Sequence, residues 1–206
     1  MNVQAPAAEA VIFDLGGVLI DWNPRHLYRK LIADEDRREW FLSEICSPDW
    51  NLQQDYGRPI AEANAELFAR FPEHRELIGA FYGRWPEMLN GAIEPTVRVL
   101  ERLDARGVPL FALTNWSAET YPIAEPMFPF LQRFRHIAVS GRLKVGKPDP
   151  RIYHHVLEVG GLDPSRTVFV DDSAKNVDAA AALGLHAIRF TDADDLAQRL
   201  AALGLL

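Results

Sequence analysis

Short apolar runs recur along this chain with helical patterns between them, and few folds accommodate that alternation. Residues 11–13, 108–113, 137–139, 168–170 and 187–190 each read as a short strand buried on both faces. Glu94-Pro95 precedes Val97, Leu100 and Leu103; Asp149-Pro150 precedes Ile152 and Val156; Ser173 precedes Val177, Ala180 and Ala181. A polar cap followed by proline in the first turn is an ordinary helix start. A last helix is expected from Asp192, with Leu196, Leu200 and Leu203 at helical spacing. Strands alternating with helices imply a parallel sheet covered on both sides and joined by right-handed crossovers.

The expected fold is therefore α/β, a Rossmann-like doubly wound parallel sheet. The stretch 21–90 breaks the rhythm. It offers no convincing strand, but Leu27 with Leu31, Trp40 and Phe41 with Ile45, Leu67 with Phe71, and Leu77 and Ile78 with Phe81 and Tyr82 follow helical spacing, punctuated by Pro24, Pro48, Pro59, Pro72 and Pro86. This reads as a helical cap inserted after the first strand, leaving residues 1–20 and 91–206 as the core. Trp22, Trp50 and Trp85 are expected to form the interior of the cap rather than to meet a ligand.

Bulk properties exclude several function classes. The 206 residues are 48% hydrophobic and 25% charged, enough to bury one sizeable core with an insertion. A formal charge of −7 argues against a broad nucleic-acid surface. Cys46 is the single cysteine, which rules out an internal disulfide or a thiolate metal cage and is expected to be an inert buried thiol. No segment approaches the ~20 apolar residues of a membrane span, and residues 1–9 lack a secretory signal pattern, so a cytoplasmic setting is expected. The composition leaves oligomeric state open.

In an open parallel sheet, ligands bind outside the carboxyl ends of the strands. There the first strand delivers Asp14, the second Thr114-Asn115 and the fourth Asp171-Asp172, while the loop after the third carries Lys147. Singly, each is explicable as a turn or helix cap or as solvated surface. Together, three carboxylates, a hydroxyl and an ammonium on one sheet edge are hard to explain as caps.

The stretches VIFDLGGVL, LFALTN, SGRLKVGKPDPRIY and VFVDDSAKNVDAA resemble the motifs of the haloacid dehalogenase superfamily, made up mostly of phosphohydrolases, across essentially the whole chain. The Asp-Leu-Gly first motif is most similar to a bacterial sugar-phosphate phosphatase branch acting on substrates like α-glucose-1-phosphate, and to the phosphatase domain of some epoxide hydrolases. The resemblance implies a Mg2+-dependent phosphatase acting on a small phosphorylated metabolite, a sugar phosphate among the candidates. It implies Asp14 as the nucleophile that becomes an aspartyl phosphate, Thr114 and the Asn115 N–H as holders of the phosphoryl oxygens, and Lys147 as the offset to charge repulsion. It further implies Mg2+ held by Asp14, the Gly16 carbonyl and Asp172, with Asp171 acting partly through water. Asn176 is expected to orient Lys147, and Gly17 and Trp116 to face the substrate.

Gly16 departs from the superfamily's commoner Asp-x-Asp motif, whose second aspartate protonates the leaving alcohol. A glycine keeps the backbone carbonyl and loses the acid, worth commonly ~10²–10⁴ in rate. The expectation is a leaving group needing little protonation, such as an anomeric sugar phosphate or an aryl phosphate, or else a proton donor from the lid. The same glycine supports two alternatives: a metal-independent 2-haloacid dehalogenase using Asp14, since halide leaves without a proton, and a catalytically weak binding or regulatory relative. Against the dehalogenase, Asp171 and Asp172 would put two negative charges beside a haloacid carboxylate. His154-His155 read as surface or core, Arg58 and Arg84 as a solvated face, and Asp55-Tyr56-Gly57 as a lid loop reaching the cleft.

Overall fold

The computed structural model describes residues 8–206, so most of the stretch read as lacking a secretory signal lies outside the described residues. Among the described residues seven strands form, β1 (Ala10–Phe13), β2 (Ile20–Trp22), β3 (Leu89–Ala92), β4 (Leu110–Thr114), β5 (His136–Val139), β6 (Thr167–Asp171) and β7 (His186–Arg189). Five make one sheet in the order β5-β4-β1-β6-β7, every pairing parallel. Every residue of β1, β4 and β6 is buried, as expected of strands covered on both faces. The chain winds outward from β1 through β4 to β5, then returns to the other side of β1 for β6 and β7. That reversal opens a crevice at the carboxyl end of β1, where Asp14 follows Phe13.

The inserted segment carries α1 (Pro24–Leu31), α2 (Glu35–Trp40), α3 (Pro48–Asp55), α4 (Ile60–Arg70) and α5 (Arg75–Gly83). Their starts follow the sequence: Asn23 accepts from the Arg25 N–H and Ser47 from the Trp50 N–H, each with proline next in the chain. Phe41 and Phe81 pack tilted against Tyr28, and Trp50 meets Phe81 edge to face at 5.3 Å. One expectation needs correction. The insertion is entered and left through β2 and β3, which pair antiparallel as a two-stranded ribbon. These strands are short and half exposed, and their sequences Ile20-Asp21-Trp22 and Leu89-Asn90-Gly91-Ala92 show too little alternation to announce themselves.

The core helices are α6 (Glu94–Ala105), the short α7 (Tyr121–Ala124) and α8 (Ser140–Leu143), then α9 (Pro150–Gly160), α10 (Ala174–Ala182) and α11 (Ala193–Ala202). Asp149 and Asp192 cap α9 and α11 with their side chains. Cys46 is buried, and burial pushes its thiol up to about 12, as suits an inert packing residue. Among the described residues, no helix is long and apolar enough to cross a membrane.

Candidate active site

Asp14 is held by its own backbone: its N–H donates to the Val170 carbonyl at 2.8 Å, and its Oδ1 accepts from the Leu15 N–H at 2.7 Å. Its Oδ2 lies 2.8 Å from Lys147 Nζ, which also donates to Asp171 Oδ2 at 2.7 Å. Lys147 is 2% exposed, so a buried ammonium bridges two buried carboxylates. Burial alone would lower the Lys147 pKa, but Asp14 and Asp171 override it and hold the group above its ordinary range. For Asp14, burial raises the carboxyl to about 7, with Lys147 opposing and the Asp171 and Asp172 charges adding to the rise.

Asp14, Asp171 and Asp172 each bring a carboxylate oxygen within 4.8 Å of the others. Three carboxylates against one ammonium leave an excess of negative charge, which a hard divalent cation would neutralise. Their capacities differ. Asp171 Oδ1 accepts from the Ser173 N–H and from Asn176 Nδ2, and its Oδ2 accepts from Lys147 and from Asn176. Four contacts from three donor groups occupy its ~4 acceptor sites. Asp14 retains free acceptor capacity, and Asp172 is exposed toward the cleft.

The neighbouring glycines play different parts. Gly17 has φ +73°, and a Cβ there would sit 2.7 Å from Asp172 Oδ2, so only glycine lets the turn pass this carboxylate. A Cβ at Gly16 would meet nothing within 4 Å. Its lack of a side chain is thus not imposed by crowding.

Lys147 is positioned through its backbone as well. Asn115 Oδ1 accepts from the Lys147 N–H at 2.8 Å, and Asn115 Nδ2 donates to the Lys147 carbonyl at 2.9 Å. The Tyr56 hydroxyl donates to the same carbonyl at 2.8 Å. Tyr56 approaches this closely because Gly146 has no side chain: a Cβ there would lie 2.1 Å from the Tyr56 ring. Asn176, expected to orient Lys147, instead grips Asp171, so any influence on the lysine passes through that carboxylate.

These residues line a cleft of about 360 Å³ between core and cap, with Asp14, Gly16, Gly17, Thr114, Asn115, Trp116, Lys147, Asp172 and Asn176 on the core side. Asp171 lies beneath this surface, fully buried. The cap side brings Trp22, Asn51, Asp55, Tyr82 and Trp85. Trp50 is interior as expected, but Trp22 is half-buried and Trp85, though buried, packs on Trp116 at 5.5 Å; both line the cleft. The aromatic spacing that marked them as core could not show that the cap folds over with this face inward. Asn51 and Tyr82 were missed. The signal for Asn51 was its spacing from Asp55, i to i+4 on one helix.

The other candidates stay outside. Arg58 pairs with Glu66 and Arg84 with Glu87, and neither lines the cleft. His154 is exposed, and the His155 ring lies 5.6 Å from that of His136.

Comparison with known proteins agrees with this geometry. The chain is similar to a sesquiterpene phosphatase, astK, of Aspergillus oryzae, at 29% identity over 89% of this chain and 90% of that one. It is also similar to a phosphorylated carbohydrates phosphatase of Thermotoga maritima, at 28% identity over 87% and 83%. Its fold matches the crystal structure of a HAD family enzyme, bt-2542, of Bacteroides thetaiotaomicron in complex with magnesium and inorganic phosphate, with a TM-score of 0.64, 27% identity, and 86% and 91% of the chains covered. A family model described as haloacid dehalogenase-like hydrolase matches residues 8–184. An enzyme, a hydrolase, thus accounts for the carboxylates gathered at the strand ends: the chain belongs to the haloacid dehalogenase-like hydrolases.

Proposed function

We propose that the protein is a Mg2+-dependent phosphatase that hydrolyses a small phosphate monoester through an aspartyl phosphate on Asp14. The observation carrying this reading is the trio of carboxylates set around a single buried lysine, with Thr114 lining the same cleft. Two curated relatives are phosphatases, and a structural neighbour holds magnesium and phosphate. Asp14 attacks phosphorus, Thr114 and the Asn115 N–H hold the phosphoryl oxygens, and Lys147 lowers the repulsion between carboxylate and dianion. Asp14, Asp172 and the Gly16 carbonyl would hold Mg2+ directly, with the saturated Asp171 reaching it through water. The cation supplies charge neutralisation at the phosphoryl oxygens.

The organic part of the substrate is uncharged on this reading. Lys147 is the one cationic side chain lining the cleft among the described residues, and it is taken up by Asp14 and Asp171. A second anionic group would find no partner, whereas Trp22, Tyr82, Trp85 and Trp116 offer ring faces. A sugar, which stacks on aromatic faces, satisfies this, as does an aryl or isoprenoid group.

Gly16 keeps the dehalogenase reading in view, but Asp172 beside Asp14 is costly for a haloacid anion without a cation. A chelator separates the two. Phosphate release that needs Mg2+ and is abolished by Asp14→Asn supports the phosphatase; halide release indifferent to chelation would replace it. Unchanged phosphate release in Asp14→Asn would instead favour the binding or regulatory relative.

A further inference from the structure

The cleft presents an incomplete catalytic set. The nucleophile, phosphate holders and cation ligands all lie on the core side, and Gly16 offers nothing to protonate the departing oxygen. Space for a side chain is open there, with no atom within 4 Å of a Cβ. The donor must then be sought among the other titratable groups lining the cleft: Asp14, Asp172, Lys147, Tyr82 and Asp55. On the reading above, the first three are committed to attack, cation binding and charge offset. The Tyr82 hydroxyl donates to Asn51 Oδ1 at 2.9 Å, and burial raises its pKa strongly. Asp55 remains, the one carboxyl on the cap side of the cleft.

Asp55 is a placed group rather than a solvated one. It ends α3, where its carbonyl accepts from Ser140 Oγ at 2.5 Å. Ser140 Oγ in turn accepts from the Trp116 N–H at 2.9 Å, tying the end of α3 to the loop after β4. Asn51 Nδ2 donates to Asp55 Oδ2 at 3.0 Å, so Tyr82, Asn51 and Asp55 form a directed chain that fixes the carboxyl at the cleft wall. The carboxyl has no salt-bridge partner among the described residues. The titratable groups that feel its charge are Tyr56 and Tyr82, neither a cation; beyond them Tyr82 faces Cys46 and Glu119, and Tyr56 faces Asp149 and Lys147. Desolvation raises its pKa to about 8, with the Ser117 backbone opposing, so the group carries a proton at neutral pH.

We propose that Asp55, delivered from the cap, is the general acid and base that takes the place of the side chain absent at Gly16. This rests on the phosphatase reading above. As an Asp14 oxygen bonds to phosphorus, the bond from phosphorus to the leaving oxygen breaks, and that oxygen takes its electron pair and the Asp55 proton. Alcohol and the Asp55 carboxylate result. In the second half, water attacks the aspartyl phosphate while Asp55 takes one of its protons. The bond from phosphorus to Asp14 breaks, phosphate leaves and Asp55 is again protonated.

The test is a leaving-group series on the full chain with Mg2+, comparing p-nitrophenyl phosphate with phenyl phosphate and with alkyl phosphates bulky enough to engage the cap rings, such as phenethyl phosphate. Asp55→Asn should lose ~10²–10⁴ in kcat/KM on alkyl phosphates and less than about tenfold on p-nitrophenyl phosphate, whose leaving group needs no proton. Adding Gly16→Asp to Asp55→Asn should recover at least about tenfold of the alkyl rate by supplying an acid from the empty position. Retained kcat/KM on p-nitrophenyl phosphate, which reports phosphoryl transfer to Asp14 alone, shows that the variant is folded, while its kcat falls with the loss of the base for the second half. An equal loss on every substrate would make Asp55 a structural residue and overturn the proposal, as would no loss on alkyl phosphates. The parent reading fails separately, if wild type releases no phosphate from any of the series or Asp14→Asn remains active.

Discussion

Replacing Lys147 by methionine removes the ammonium while keeping most of the side chain's volume, and the structure says what should follow. Its Nζ lies 2.8 Å from Asp14 and 2.7 Å from Asp171, with all three groups buried. At an effective dielectric of ~20, each contact is a gross attraction of about 6 kcal/mol. Most of this offsets desolvation, so removing one partner of such a cluster costs about 3–5 kcal/mol. For a domain of this size each kcal/mol moves Tm by ~2–4 °C, giving a fall of ~6–20 °C in chelator. Two dependences identify the cause. Mg2+ should stabilise the variant more than wild type, because the cation then faces more uncompensated charge. The deficit should also shrink in acid. Asp14 already has its pKa raised from 3.8 to about 7, so the native state binds more protons than the unfolded chain between those values, and stability falls as pH rises through that window. Losing Lys147 pushes the pKa higher still, so protonation at low pH relieves the variant more. Thermal melts at pH 5 and pH 8, with chelator and with Mg2+, read all of this. A variant as stable as wild type in chelator at pH 8 would refute the electrostatic account.

Three further outcomes are expected. Gly17→Ala should weaken Mg2+ activation of turnover by ~10–100-fold, the usual scale for disturbing the surroundings of a metal ligand, because the new Cβ would press on Asp172; Mg2+ titrations at fixed substrate measure it. Trp22→Leu should raise KM for aryl phosphates by ~3–10-fold, corresponding to about 1 kcal/mol of ring contact, with kcat and inhibition by inorganic phosphate little changed. Asp55→Asn should raise Tm clearly at pH 8 and much less at pH 4: the Asp55 pKa is raised from 3.8 to about 8 in the fold, so wild type loses stability as pH rises between those values while the amide does not. Equal shifts at both pH values would count against a desolvated carboxyl.

The core was legible because its signals are local. Buried parallel strands must be apolar throughout, so residues 11–13, 108–113 and 168–170 identified β1, β4 and β6, and chain order placed Asp14, Thr114 and Asp171 at their ends. What stayed hidden depends on long-range packing. Lys147 could be placed near Asp14 by order, but the Asn115 clamp on its backbone links positions 32 residues apart and leaves no pattern in either segment. Asn176 belongs to the site as expected from its place after Asp172, but a one-turn offset does not reveal that its amide meets Asp171 and reaches Lys147 only through that carboxylate. The cap was the least legible, because its helices bury one aromatic face on themselves and turn another toward the core, and both faces carry tryptophan.

That division also explains how the missing acid can be replaced. A strand-end residue is fixed by the sheet, so a side chain at position 16 would deliver its proton from one place whatever the substrate. A carboxyl carried on the cap shares one side of the cleft with Trp22, Tyr82 and Trp85, the rings that on the proposed reading would meet the organic part. Asp55 can then reach a leaving oxygen only when the group attached to it is seated among those rings. On the proposed mechanism protonation is thereby coupled to recognition, and a phosphate ester too small to engage the cap would react slowly even if Asp14, Lys147 and Asp172 met its phosphoryl group equally well.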